Sequence, residues 1–280
     1  MSAARRQRLD VDLVRRGMAG SREQAQSAIE SGKVLVSGSV ARRASRLVAP
    51  GEPVQLLGPP RRFVGRGGEK LDAALDGFGV DVRDAVALDA GASTGGFTDC
   101  LLRRGAALVA AVDVGHGQLD QRLREDPRVV VLEHTNIRHL LPETLAAAVG
   151  SGRLPVGVVT ADLSFISLTA AVPVLAGPLV VGGGDLVLLV KPQFEVGRAE
   201  ASRGKGVVRD PARWLEALRA VASALEAAGA AIIGAMRSPI TGASGNVEFF
   251  VHAAAHAEVH ADVRADADRW LRDAVARAAE

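Results

Sequence analysis

The sequence predicts an α/β protein: a Rossmann-like, mostly parallel sheet with an antiparallel hairpin at one edge, preceded by a small N-terminal α+β domain. Three observations predict it. From residue 70 onward, unbroken apolar runs alternate with helical stretches, the pattern of a parallel sheet covered on both faces. The last two apolar runs have no helix between them, so they form a hairpin at the sheet edge. Residues 1–58 instead carry two short amphipathic helices and short strands, ahead of a stretch rich in Gly, Pro and Arg.

Taken in order, Leu9, Leu13, Val14 and Met18 recur at helical spacing, and Gly17 and Gly20 mark the end of that helix. Ser21-Arg22-Glu23-Gln24 is a capping box that opens a second helix, with Ala25, Ala28 and Ile29 as its buried stripe and Gly32 as its end. Val34–Val36 reads as a strand, Ser37-Gly38 as a turn into Val40, and Pro53–Leu57 as a closing strand. The expected organisation is a domain over 1–58, a connection over 59–68 and a second domain over 69–280. In the latter a helix begins near Glu69 with Leu71, Ala74 and Leu75 inward. Strands are expected at 85–91, 107–113, 129–133, 156–161 and 185–191, with helices at 95–104, 137–149 and 211–229. The hairpin strands are expected near 230–237 and 246–253. Trp270 and Leu271 dock a C-terminal helix.

Composition narrows the classes. Of 280 residues, 48% are hydrophobic and 24% charged, enough for at least one full core. A single cysteine, Cys100, excludes an internal disulfide framework and a zinc-finger-like cluster; beside Leu101 and Leu102 it reads as a buried helix residue. No apolar leader follows Met1, and the most apolar run, 154–175, is broken by Asp162 and Pro173, so the chain reads as cytoplasmic. His252, His256 and His260 recur every four residues. Because His252 falls at a strand end and no carboxylate pattern completes the set, no metal is expected.

The first strand runs into Asp89-Ala90-Gly91-Ala92-Ser93-Thr94-Gly95-Gly96-Phe97, where small residues let a ligand approach the backbone closely. The spacing Gly-x-x-x-Gly-Gly is not the Gly-x-Gly-x-x-Gly that carries a pyrophosphate, which argues against NAD. It suits S-adenosylmethionine, a nucleoside cofactor without phosphate. Asp89 is expected to accept from the ligand's amino group, and Asp113, 22 residues beyond Gly91, to hold the two ribose hydroxyls. Asn136 is placed to contact the adenine, and Asp162 borders the same ligand.

Four ionisable residues stand at the ends of apolar segments: Lys70 opening a helix, Asp162 after the fourth strand, Lys191 after the fifth, and Glu248 within the last strand. Such groups are costly there unless paired or used. Together they suit methyl transfer from a sulfonium to a ribose 2′-hydroxyl, a weak nucleophile that must be aligned and deprotonated. A lysine serves as base only when burial and a second cation lower its proton affinity; Lys70 beside Lys191 would do this, with Asp162 and Glu248 orienting the amines.

Family likeness enters through longer motifs. Arg8-Leu9-Asp10, Ser21-Arg22 and Gly32–Gly38 resemble an S4 RNA-binding domain. Asp89–Phe97, Asp162–Ser167, Val190–Glu195 and Gly245–Phe250 resemble the FtsJ/RrmJ-type 2′-O-methyltransferases. The combination resembles the TlyA haemolysin family across nearly the whole chain. That resemblance implies a class I methyltransferase sheet, 2′-O-methylation of cytidine in ribosomal RNA, a Lys-Asp-Lys-Glu tetrad at Lys70, Asp162, Lys191 and Glu248, and Lys191 as the base. It departs at Phe63-Val64-Gly65-Arg66-Gly67, where the family's interdomain motif carries Tyr or Trp and then Val-Ser-Arg-Gly; here the aromatic residue has neither hydroxyl nor indole, and Gly65 adds backbone freedom. Arg5-Arg6 resembles the longer, actinobacterial type, which modifies both ribosomal subunits.

Charge agrees with an RNA partner. Residues 1–66 hold 13 Lys/Arg against 5 Asp/Glu, whereas the remainder holds 21 against 27. Candidate contacts are Arg5, Arg6, Arg16, Arg22, Lys33, Arg42, Arg43, Arg46 and, at the linker, Arg66, neutralising phosphate and reading helical shape. There is no tyrosine in the chain and little aromatic interleaving here, which argues against base stacking in this module. Two rival readings are a non-enzymatic pore former, without a spanning or strongly amphipathic segment to support it, and a ribosome-assembly protein with an inactive methyltransferase scaffold.

Overall fold

The computed structural model describes residues 6–57, 62–196, 206–257 and 260–279, and the chain divides after Gly65 into two units, Met1–Gly65 and Arg66–Glu280. Of the expected connection, residues 59–61 lie outside the described residues.

The first unit runs β1 (Gln7–Arg8), α1 (Leu9–Arg15), α2 (Arg22–Glu30), β2 (Val34–Val36), β3 (Ser39–Val40), β4 (Leu47–Val48) and β5 (Val54–Leu56). Leu9 and Leu13 of α1, Ala25 and Ile29 of α2, and Val34, Val36 and Val48 of the strands are buried together as its core. α2 starts where the side chain of Ser21 accepts from the Gln24 N–H at 3.2 Å. The Gln24 carboxamide reaches back to the N–H of Gly20 at 3.1 Å, so the box closes one residue earlier than the sequence suggests. Ser37 and Gly38, with φ of 51° and 80°, form the two-residue turn between β2 and β3. β5 completes a three-stranded sheet, and β1 and β4 form a separate antiparallel pair that sequence patterning does not reveal. Asp10 joins α1 to α2: it is fully buried and accepts from the side chains of Arg8, Arg22 and Gln26. The Arg8 guanidinium, ahead of the other donors, holds its carboxyl far below the usual carboxylate range.

In the second unit α3 (Arg66–Phe78) begins earlier than expected, so residues 66–68 of the anticipated connection form its first turn. There follow β6 (Val86–Ala90), α4 (Gly96–Arg103), β7 (Leu108–Val112), α5 (Gln121–Arg124), β8 (Val129–Leu132), α6 (Pro142–Val149), β9 (Val156–Ala161) and α7 (Val172–Leu175). The unit ends with β10 (Val180–Val190), α8 (Pro192–Glu195), α9 (Pro211–Ala227), β11 (Ala231–Arg237), β12 (Phe249–Ala254) and α10 (Ala261–Ala279). The strands lie in the order β11-β12-β10-β9-β6-β7-β8. β10, β9, β6, β7 and β8 are parallel, while β12 is antiparallel to both β10 and β11. The edge hairpin is therefore present as expected. Its second strand starts only at Phe249, which leaves Glu248 just before the strand rather than within it.

Strand order reverses between β6 and β9, the place where open α/β sheets bind their ligands, beyond the carboxyl ends of the strands. Val159, Ala161, Leu186, Leu188 and Val190 are buried along the central strands, Leu218 and Val221 of α9 pack on them, and α10 lies against α9 and β11 with Leu271 inward and Trp270 partly covered. Cys100 is buried in α4.

Candidate active site

At the reversal point the segment after β6 is fixed between its neighbours. The N–H groups of Gly91 and Ala92 donate to the carbonyl of Val112, and that of Asp162 donates to the carbonyl of Ala90. Gly91 has φ +84°, and a Cβ there would stand 2.7 Å from the carbonyl oxygen of Asp162; only glycine allows the loop so close to the end of β9. Beneath it lies Asp89, with none of its surface exposed, accepting from Thr98 Oγ1 at 2.6 Å and Thr160 Oγ1 at 3.3 Å. Burial, with the nearby Asp162 charge adding to it, pushes the Asp89 carboxyl up to about 7. Asp89 lines neither cavity described below. The sequence places this carboxyl at a ligand's amino group; in the structure it ties α4 and β9 together under the loop through Thr98 and Thr160.

Two cavities open above this loop. One, of about 280 Å³, is bordered by Asp113, Val114, Asn136, Ile137, Phe165 and Ile166. The other, of about 150 Å³, is bordered by Gly67, Thr94, Gly96, Phe97 and Lys191. Gly91, Ser93, Asp162 and Ser164 belong to both, so the two are compartments of one groove with Asp162 on the dividing wall. Gly95 lines neither. Asp113 accepts from the N–H of Ser93 at 2.8 Å and from that of Gly115 at 2.6 Å, one on each oxygen. Asn136 uses its Oδ1 to accept from the N–H of Arg138, capping the short 3-10 helix Ile137–His139. The adjoining loops are clasped from outside. Glu133 accepts from the Gly117 N–H at 2.8 Å, contacts His116 Nδ1 at 2.9 Å and is paired with Arg124, while the His116 and His134 rings stack with centroids 4.8 Å apart. The Arg124 guanidinium, first among these, holds the Glu133 carboxyl down to about 2.

The four ionisable residues assemble as two ion pairs. Lys70 Nζ lies 2.5 Å from Glu248 Oε2, both groups buried. Lys191 Nζ lies 2.5 Å from Asp162 Oδ1 and donates to Ser164 Oγ at 2.9 Å. Each amine meets one of the two carboxylates expected to orient it. The first turn of α3 borders both pairs: Lys70 stands three residues after Gly67, and a Cβ on Gly67 would lie 3.2 Å from the Phe97 ring and 3.6 Å from Asp162 Oδ2. The turn before β12 shapes the Glu248 carboxylate in the same way, since a Cβ on Gly242 would stand 2.5 Å from Glu248 Oε1.

Sequence reasoning missed Ser164, Phe165 and Ile166 as individual lining residues. Phe165 carries a signal visible only in the fold: it is 90% exposed and non-glycine, yet held at φ 67°. In the first unit, Arg6, Arg22, Lys33, Arg42 and Arg43 are exposed. Arg46 approaches Glu52 at 3.6 Å. Arg16 pairs with Asp12 at 2.6 Å and donates to the Glu52 carbonyl, while Arg22 donates to Asp10 at 3.1 Å. Arg66 belongs to the second unit and donates to the carbonyl of Thr241, and Arg5 lies outside the described residues. His252 pairs with Asp185 at 2.7 Å while His256 contacts the Gly177 carbonyl, so these two histidines face different partners.

A mostly parallel sheet closed by an antiparallel hairpin, with a glycine loop and groove at the reversal point, defines a Rossmann-like methyltransferase fold. Residues 63–255 match the FtsJ-like methyltransferase family, and residues 7–54 match the S4 domain. The chain is 48% identical to the 16S/23S rRNA (cytidine-2′-O)-methyltransferase TlyA of Mycobacterium tuberculosis, over 89% of this chain and 90% of that one. It is 37% identical to Hemolysin A of Brachyspira hyodysenteriae, over 88% of this chain and 98% of that one. A solved structure from Streptococcus thermophilus, assigned provisionally as a hemolysin, superimposes with a TM-score of 0.74 at 37% identity and covers 97% of this chain and 96% of that one. The chain belongs to the TlyA family, methyltransferases of the FtsJ-like type that carry an S4 domain. No helix among the described residues is long and apolar enough to cross a membrane.

Proposed function

We propose that this enzyme transfers the methyl group of S-adenosylmethionine to the 2′-hydroxyl of a cytidine in ribosomal RNA. The observation that carries the reading is the Lys191 amine, held by Asp162 and Ser164 at the wall shared by the two compartments.

The larger compartment suits a nucleoside. Each oxygen of Asp113 keeps a second lone pair for a ribose hydroxyl, and Asn136, its Oδ1 engaged, offers its NH₂ group to the adenine. Val114, Ile137 and Ile166 supply apolar surface for the ring. Ser93, Thr94 and Gly96 would border the amino-acid end. Bound there, the cofactor supplies an electrophilic methyl on a sulfonium. Lys191 is the base for the 2′-hydroxyl proton: two of the directions around Nζ are occupied by Asp162 and Ser164, which leaves the third for the incoming oxygen. Asp162 then stabilises the ammonium that forms, and the buried Lys70–Glu248 pair, which lines neither compartment, braces the first turn of α3 beside it. Arg6, Arg22, Lys33, Arg42, Arg43 and Arg46 of the first unit dock the RNA through phosphates, and Arg66 of the second unit adds a further contact.

Mapping 2′-O-methyl marks on ribosomal RNA by mass, with and without the protein, tests the reaction; no mark dependent on the protein would sink it. Lys191→Ala should cut methyl transfer by about 100-fold or more while leaving RNA affinity nearly unchanged. Wild-type turnover in that variant would remove Lys191 from the base role.

A further inference from the structure

Two segments converge on the groove from the ends of β9 and β10: 162–168, which has no regular structure before the 3-10 turn at Leu168, and 191–195. They run side by side, joined by successive cross-links. Asp162 and Ser164 both meet Lys191. Phe165 then lies against Phe194 with centroids 5.7 Å apart. Last comes Glu195, which accepts from Ser167 Oγ at 2.5 Å on one oxygen and from the Leu168 N–H at 2.7 Å on the other.

Glu195 is not among the residues that line either compartment. Its two hydrogen bonds close the far end of a segment that carries Ser164 beside the Lys191 amine and Phe165 in a left-handed backbone conformation with most of its ring in solvent. A strained residue of that kind persists only when its surroundings over-determine it, and hydrophobic packing does little for a ring so exposed. We propose that Glu195 is a positioning residue for methyl transfer: its clasp on Ser167 and Leu168 fixes the 162–168 segment so that Ser164 and Phe165 stand at the reaction centre. This rests on the methyltransferase reading above.

The clasp works by hydrogen bonding, not by charge. A glutamine can accept from the Leu168 N–H through its carbonyl oxygen and donate to Ser167 Oγ through its NH₂, since that hydroxyl both donates and accepts. Protonated glutamic acid makes the same two bonds, so the upward push that burial gives the Glu195 carboxyl does not break the clasp.

The test uses the full-length enzyme with ribosomal RNA and labelled S-adenosylmethionine. Glu195→Ala should lower kcat about tenfold to 100-fold, the scale at which small misplacements of a reacting group are felt. Glu195→Gln should stay within about threefold of wild type, and Ser167→Ala, which cuts one cross-link from the opposite side, should lose about threefold to tenfold. A double Glu195→Ala/Ser167→Ala variant should be no slower than Glu195→Ala alone. Wild-type turnover in Glu195→Ala, or a glutamine variant as slow as the alanine one, overturns the clasp. If Glu195→Ala does not fold, full activity in Ser167→Ala overturns it instead. A wild-type enzyme that transfers no methyl group sinks the parent reading, which is a separate outcome.

Discussion

Asp89 and Asp10 are the same residue type with opposite electrostatics, and the difference lies in which neighbours the fold supplies. Asp10 sits among guanidinium groups and stays ionised far into acid, so its contribution to stability exists above its ordinary value of 3.8 and disappears as pH falls. Asp89 has two threonine hydroxyls and no cation, and its proton affinity rises to about 7. The folded chain therefore holds a proton that the unfolded chain releases near 3.8. The associated stability is full below that value, declines as pH rises and is gone above about 7, a span of the order of a few kcal/mol. Asn at this position can accept from Thr98 and donate to Thr160 without titrating. Asp89→Asn should thus fold and show a smaller drop in thermal midpoint between pH 5 and pH 8 than wild type; an unchanged drop would assign the pH dependence to other groups. Sequence position alone suggested a ligand contact for Asp89, because Thr98 and Thr160 arrive from α4 and β9 and their directions are not readable from a strand pattern.

At the scale of elements, the groove is made by loops whose shape depends on clasps outside it. Glu133 at the end of β8 draws in the 115–118 loop through Gly117 and His116, and so supports Asp113 and its neighbours without lining either compartment. Glu133→Ala should raise KM for S-adenosylmethionine about tenfold with kcat at saturation little changed, the signature of lost ground-state binding. A fall in kcat at unchanged KM would place its influence at the reaction centre instead. The parallel strands were legible because runs such as Val86–Leu88 and Val156–Val159 must be apolar when both faces are covered. β1 and β4, two residues each, have no periodicity to detect. The start of α3 was hidden by Gly67-Gly68, a pair that disfavours helix, yet Gly67 lies where a side chain would crowd Phe97. Apolar residues around Glu248 suggested a strand, whereas the turn 242–246 that cradles its carboxylate ends just before β12. The four ionisable residues of the site stood out at the ends of their segments; which amine meets which carboxylate was not legible, because pairing depends on side-chain directions across strands far apart in sequence.

Over the whole molecule, the uneven charge decides where a polyanion is attracted. Residues beyond 66 carry more acidic than basic groups, so under the function proposed above the basic front supplies the long-range attraction to RNA. Arg16 is committed to Asp12 and the Glu52 carbonyl, whereas Arg42 and Arg43 are exposed on the segment between β3 and β4. If those two neutralise phosphates, converting both to Gln removes up to two released counterions. RNA affinity should then fall most at low salt, and the slope of log affinity against log salt should shallow by roughly one to two. Methylation should show the same change as a higher KM for RNA with kcat preserved at saturating substrate, because docking precedes the chemistry and no reacting group has been altered. Lys191→Ala is the complementary case, in which affinity and its salt slope stay as in wild type while turnover is lost. A double variant at Arg42 and Arg43 with unaltered affinity and slope would move the docking face elsewhere on the molecule.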